Sequence, residues 1–331
     1  MRNHNKYAMA HPTLLQRIAN KIKYRAHFKN MALVPKLNHE QETILTSLRN
    51  DGFVILPEYL NQEVLSSLQY DFQQSLENLQ FETPCLAQSK INQKKHSDFI
   101  NNYMLGTPEF IESIGAAFNH NECQSYKQVI SDFNPSTLTL KMLQYSQTFR
   151  ETWLDPSLLS IISHYMGLVP QLAEAYVRRN FPAPYRSMNH YWHRDLNNRS
   201  YLLKMFVFLN DCTVENGPHE YIKGSCTEST KIATLNGKRY YTNDEVNKLY
   251  PQHSDDRVLS LVKAGTVVIE DTRGVHRANL PESGHRDLGF AVFTPTLEHA
   301  KPLYSFPEQT YNSLHPFQKI IIPNKCIQKE K

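Results

Sequence analysis

From Gly167 onward the chain is a succession of short strand-like runs with no long helix between them. They read "LAEAYVRRNF", "NHYWHRD", "YLLKMFVFLND", "PHEYI", "RVLSLV", "GTVVIED" and "RDLGFAVFTP". Each is rich in β-branched and aromatic residues, and turn residues such as Glu215-Asn216-Gly217-Pro218 and Ala264-Gly265 separate them. Strands in this number without crossover helices point to antiparallel sheets packed face to face, as a jelly roll or barrel. One interruption, residues 227–257, is too polar and too long for a hairpin, and segments of that size are expected to be lids or binding loops.

Upstream of Gly167 the pattern is mixed. Ile44 and Leu48 share a helical face, Asp51-Gly52 breaks it, and Phe53 to Leu56 reads as a short buried strand ended by Pro57. Asn61 is a good N-cap for a helix carrying Val64, Leu65 and Leu68, and "STLTLKMLQY" reads as a strand. "DPSLLSIISHYMG" has a full set of helix signals: Asp155 as N-cap, Pro156 in the first turn and Gly167 past the end. The expected fold is mainly β with helical additions (α+β). Residues 1–39 are an arm and 40–331 one domain, divided into a helix-and-strand part 40–167, a β core 168–300 containing the insert 227–257, and an extension 301–331.

The formal charge of +4 hides an asymmetry. Residues 1–39 hold eight Lys or Arg and no acid, which leaves 28 basic against 32 acidic residues in the rest. The body is therefore mildly acidic, and nucleic acid is not an expected partner. Three readings of the arm stay open: a targeting segment, a lipid contact, or a surface helix packed through Leu14, Ile18 and Ile22. No apolar run approaches the ~18 residues of a membrane-spanning helix. Five scattered cysteines (Cys85, Cys123, Cys212, Cys226 and Cys326) form no CxxC pair, so they are expected to be reduced thiols of a cytoplasmic protein.

Within "NHYWHRDLNN", His193 and Asp195 are two apart and project to the same face of a strand, with Arg194 opposite. Two ligands alone bind an ion weakly, and a third is needed from another strand. His276, after the turn Asp271-Thr272-Arg273-Gly274, is the candidate. Two imidazoles and one carboxylate on one side of an ion make the facial triad of non-heme Fe(II) oxygenases, whose open positions take cosubstrate and dioxygen. Arg286 shares a strand face with Leu288, Phe290 and Val292, while Asp287 points the other way. A guanidinium leading an apolar face into a barrel is costly unless it meets a carboxylate, and a dicarboxylate such as 2-oxoglutarate would supply one.

"WHRD", "LKMFVFLNDCTVENGPHEYIKGS" and "EDTRGVHRANLPESGHR" resemble the phytanoyl-CoA dioxygenase family of Fe(II)/2-oxoglutarate oxygenases, and "DGFVILPEYLNQEV" is similar to that family's opening signature. The resemblance spans roughly residues 40–300. It implies a cupin-like double-stranded β-helix of about eight strands, a form of the jelly roll. It implies His193, Asp195 and His276 as iron ligands and Arg286 as anchor of the distal carboxylate of 2-oxoglutarate, with O2 as co-reactant. There are departures: Cys226 where members commonly have His after Gly-Ser, and Ala278 where many carry a hydroxyl residue. The second contact to 2-oxoglutarate is then sought at Phe206, as a pocket wall, and at Lys204, as a charge partner; the plainer reading of Lys204 is a lysine on the outer face.

These readings imply a hydroxylase of a small molecule that releases succinate and CO2. Asp195 argues against halogenation, because halogenating relatives replace that carboxylate with a small residue. Arg178, Arg179, Arg273 and Arg277 favour an anionic substrate, with solvated or paired arginines as the commoner alternative. Tyr176, Tyr185 and Tyr240-Tyr241 are candidates for a substrate pocket, Trp192 for packing beside the site, and His164, His190 and His219 for ordinary histidines. Two competing readings remain: a cupin-like metalloenzyme that does not use 2-oxoglutarate, and a non-catalytic binding protein of the same fold.

Overall fold

The computed structural model describes residues 14–78, 81–85, 104–105, 117–133, 136–183, 186, 188–195, 202–226, 239–296 and 304–328. Its strands are β1 (Phe53–Leu56), β2 (Phe81–Cys85), β3 (Met104–Leu105), β4 (Ala117–Gln124), β5 (Thr137–Leu140), β6 (Gln171–Asn180), β7 (Trp192–His193), β8 (Leu203–Phe208), β9 (His219–Ile222), β10 (Tyr240–Tyr241), β11 (Arg257–Leu259), β12 (Val267–Glu270), β13 (His276–Ala278), β14 (Arg286–Thr294), β15 (Phe306–Pro307) and β16 (Ile327–Gln328). Seven of them form one sheet in the order β1-β12-β8-β14-β6-β5-β3, and five form another in the order β10-β7-β13-β9-β11. Pairing is antiparallel throughout both sheets except for β3 alongside β5. Two facing antiparallel sheets with these crossovers are the expected jelly roll.

Alternation along the strands divides the apolar residues between two cores. Leu288, Phe290 and Val292 of β14 face the space between the sheets with Tyr176, Phe206, Phe208 and Val268, and the Phe53 ring stacks on Tyr221 at 5.2 Å. Ala291 and Phe293 face the other way, into a larger core shared with the helices. The helix Pro156–Met166 supplies Leu158, Leu159, Ile161 and Ile162 to that core, with the Leu158 N–H donating to the Asp155 cap at 2.9 Å. The extension packs there too: Phe306, Phe317, Ile321 and Ile322 are buried, and the Tyr304 hydroxyl donates to the Leu172 carbonyl at 2.8 Å.

Two glycines are required by close approach. Gly52 ends the helix His39–Asp51 at φ 71°, and a Cβ there would lie 2.5 Å from the Tyr221 hydroxyl. At Gly289 a Cβ would lie 2.3 Å from the Trp153 ring, and that indole is fixed because its N–H donates to the Phe290 carbonyl at 3.0 Å. Gly289→Ala is therefore expected to cost about 1–3 kcal/mol, as overpacking does. Urea unfolding measures this, and an unchanged midpoint would show that the indole yields freely.

One sequence expectation, the packing of the arm, is corrected by the structure. The arm does form a helix, Leu14–Lys23, yet Ile18 and Ile22 are 49% and 74% exposed and do not pack it. The chain is anchored further on, by Tyr24, Phe28, Met31 and Val34 and by the His27 ring nitrogen 2.9 Å from the Val169 carbonyl. In the described part of the insert, residues 239–257, Tyr240 pairs opposite His193 with its ring 6.1 Å from that imidazole. Tyr241, Val246 and Tyr250 pack with Trp192, Ile222 and Val275 on the outer face of the five-stranded sheet, and β10 extends that sheet beside β7. A strand and a capped helix, Asn243–Leu249, give this polar stretch enough apolar positions to dock. Residues 227–238 lie outside the described residues.

Candidate active site

β7 and β13 are neighbours, with His193 and His276 as Cα partners. Antiparallel register therefore brings together two imidazoles 83 positions apart in the numbering, with ring centroids 4.2 Å apart. Just beyond β7, the Asp195 N–H donates to the Thr272 carbonyl at 2.8 Å, which ties the carboxylate to the turn that precedes β13. His193 Nε2 lies 4.0 Å from Asp195 Oδ1, and His276 Nε2 lies 3.8 Å from Asp195 Oδ2. One ligand atom from each residue falls within 4.8 Å of the other two.

Both rings are held in the tautomer a metal requires. His193 Nδ1 sits 2.8 Å from the Tyr191 carbonyl, and His276 Nδ1 sits 3.0 Å from the Gly274 carbonyl. A carbonyl only accepts, so each Nδ1 carries the proton and each Nε2 offers its lone pair to the Asp195 side. Burial pushes both imidazoles below their ordinary range, His276 to about 3, which keeps them neutral. Burial alone would raise the Asp195 carboxyl. The Lys204 ammonium, bonded to Asp195 Oδ2, outweighs that with help from His276 and His193 and holds it well below the usual carboxylate range. Two neutral imidazoles and a carboxylate suit a borderline divalent ion with open positions.

Next to this cluster, between the sheets, is a cavity of about 210 Å³ whose walls include His193, His276, Phe206, Ala278, Phe290, Arg178 and Arg286. Arg286 is 2% exposed, and its Nε and Nη1 have no hydrogen-bond partner among the described residues. Burial lowers its pKa. No acid among the described residues pairs with it, since Asp287 points to the other face and binds Arg179 through bonds of 2.8 and 2.7 Å. An orphaned, buried guanidinium lining a cavity beside a triad of potential ligands could hold a carboxylate. The donor set and this guanidinium together fit iron and a dicarboxylate.

The other expected residues separate by the face they occupy. Phe206 lines the cavity, edge-on to Phe290 at 4.7 Å. Lys204 is on the inner face, and its partner is Asp195. Of the four remaining arginines, Arg179 pairs with Asp287, Arg273 with Asp271 and Arg277 with Glu220, which leaves Arg178 on the cavity wall, with Nη2 donating to the Tyr176 hydroxyl at 3.0 Å. Trp192 packs outside the site beneath the Arg277 guanidinium, 4.4 Å from its ring. Tyr176 lines the cavity, Tyr240 and Tyr241 form β10, and Tyr185 lies outside the described residues.

Three residues were not foreseen in this role, and His190, read as ordinary, is one of them on the cavity wall. His219, read above as ordinary, lines the cavity, and its Nε2 lies 2.6 Å from Glu270 Oε2. Burial drives His219 down to about 3 and Glu270 up to about 7. The period-2 argument that singled out Arg286 applies equally to Glu270, which shares the inner face of β12 with Val268.

The sequence profile of the phytanoyl-CoA dioxygenase (PhyH) family matches residues 48–286. No match is found among curated protein sequences. Similar solved structures include the non-heme alpha ketoglutarate dependent epimerase SnoN from nogalamycin biosynthesis, 14% identical, covering 77% of this chain and 82% of that one at a TM-score of 0.48. HygX from Streptomyces hygroscopicus, with nickel, 2-oxoglutarate and hygromycin B bound, is 15% identical over 81% and 92% at 0.46. EctD from S. alaskensis, with 2-oxoglutarate and 5-hydroxyectoine, is 17% identical over 89% and 88% at 0.47. Among the described residues no helix is long and apolar enough to cross a membrane. On the span of the profile match, this chain belongs to the phytanoyl-CoA dioxygenase family of iron- and 2-oxoglutarate-dependent oxygenases.

Proposed function

We propose that this protein hydroxylates a small-molecule metabolite, with His193, Asp195 and His276 holding Fe(II) and Arg286 anchoring the distal carboxylate of 2-oxoglutarate. The bound iron and 2-oxoglutarate supply, with dioxygen, the oxidising power to attack an unactivated C–H bond, releasing succinate and CO2. The chain's own contribution is geometric. Two backbone carbonyls fix the imidazole tautomers, Lys204 neutralises Asp195, and Phe206 and Phe290 wall the cosubstrate pocket against water. Retention of the carboxylate at Asp195 favours hydroxylation over halogenation. Residues 40–331 act as one oxygenase unit, and the buried free thiols of Cys212, Cys226 and Cys326 suit a reducing cytoplasm.

The observation that carries this reading is Arg286, buried with Nε and Nη1 unpartnered among the described residues. A cupin-like metalloenzyme that dispenses with 2-oxoglutarate leaves that guanidinium unexplained. On the substrate side, Arg178 is the arginine available to a carboxylate or phosphate. Anaerobic addition of Fe(II) and 2-oxoglutarate is expected to give the weak visible charge-transfer band of the chelate, and a metabolite-library screen should find compounds that stimulate succinate formation. Absence of the band would favour a non-catalytic binding protein.

A further inference from the structure

Glu270 ends β12 on the inner face of the seven-stranded sheet and is 0% exposed. One carboxylate oxygen, Oε2, is bonded to His219 at 2.6 Å. The other, Oε1, has no hydrogen-bond partner among the described residues and lies 3.8 Å from His276 Nδ1. Across the strand pair, the register partner of Glu270 is Lys204, whose ammonium is bonded to Asp195. Two of the three ligand residues thus have a buried charge of their own beside them. Lys204 draws negative potential away from the carboxylate ligand. Glu270 sits where it returns that potential, at the N–H edge of the imidazole ligand.

We propose that Glu270 is a positioning residue of the metal centre, held by His219, that strengthens His276 as a donor and balances the cation that Lys204 places on Asp195. The His276 N–H is bonded to the Gly274 carbonyl, so Glu270, 3.8 Å behind it, acts through space: its negative potential makes the opposite nitrogen a better donor. Burying a carboxylate with a free lone pair costs stability, and a dication ligated through the neighbouring ring offsets that cost. The proposal rests on the iron reading above.

Cobalt(II), which resists air oxidation, is the probe, followed by its d–d absorption and by competition with a chelator. Glu270→Gln keeps the shape and removes the charge. It is expected to weaken Co(II) binding by about 10- to 100-fold and to shift the d–d bands. In Glu270→Gln/Lys204→Met both charges leave together, and part of the lost affinity is expected to return. Wild-type affinity and band positions in Glu270→Gln overturn the proposal, as does a double variant that binds no better than the single one. If Glu270→Gln fails to fold, the double variant is compared with Lys204→Met instead; weaker binding by the double variant supports the proposal and equal binding overturns it. Failure of the wild-type protein to bind Co(II) overturns the metal reading itself, and this proposal with it.

Discussion

Replacing Arg286 by Met is expected to lower affinity for 2-oxoglutarate by about two to three orders of magnitude while leaving the free protein no less stable. The two halves have one cause. In the proposed complex the guanidinium would meet a carboxylate in a dry pocket, and truncating one side of such a pair costs about 2–5 kcal/mol. In the free protein the same group is buried with Nε and Nη1 unsatisfied, next to Leu288 and Phe206 on the inner face. An apolar side chain of similar volume removes that desolvation cost and is neutral or stabilising by about 1–4 kcal/mol. Titration of the chelate band together with a thermal melt measures both. A variant that keeps its 2-oxoglutarate affinity would remove the cosubstrate role from Arg286, and one that melts lower would show that the guanidinium has an internal partner.

Asp195→Ala is expected to abolish succinate formation and also to destabilise the fold. The first effect follows from removing the anionic ligand of the triad. The second follows from Lys204, whose ammonium is bonded to that carboxylate at a site where both side chains are 15% exposed. Breaking a largely buried pair from one side costs about 3–5 kcal/mol. Asp195→Ala/Lys204→Met should recover the stability and none of the activity. The acid limb offers an independent check. The Asp195 pKa is depressed in the folded protein, so the pair's contribution is complete above the unfolded value near ~3.9 and is lost as pH falls towards the folded one. Wild-type stability should therefore fall more steeply in acid than that of Asp195→Ala; parallel curves would mean that the ion pair contributes nothing.

What could be read from the sequence was periodicity and punctuation. Alternation placed His193 with Asp195, and Arg286 with Leu288 and Phe290, and cap residues delimited the helix Pro156–Met166. Period 2 says which residues share a face but not which face is inside, because pairing partners set that. Lys204 could therefore be read as an outer-face lysine, although its strand lies between β12 and β14 with Lys204 turned towards Asp195. The partnership of His219 with Glu270 joins two strands 51 residues apart, and no local pattern encodes such a contact. The docking of the insert is hidden for a related reason: Tyr241, Val246 and Tyr250 look dispersed in a polar stretch until a strand and a helical turn align them.

The pairing of β10 with β7 has a consequence for engineering. Tyr240 lies opposite His193, and the Arg194 N–H donates to the Arg239 carbonyl at 2.9 Å, so the insert grips the two-residue strand that presents a ligand. Replacing this segment would therefore disturb the strand that places His193.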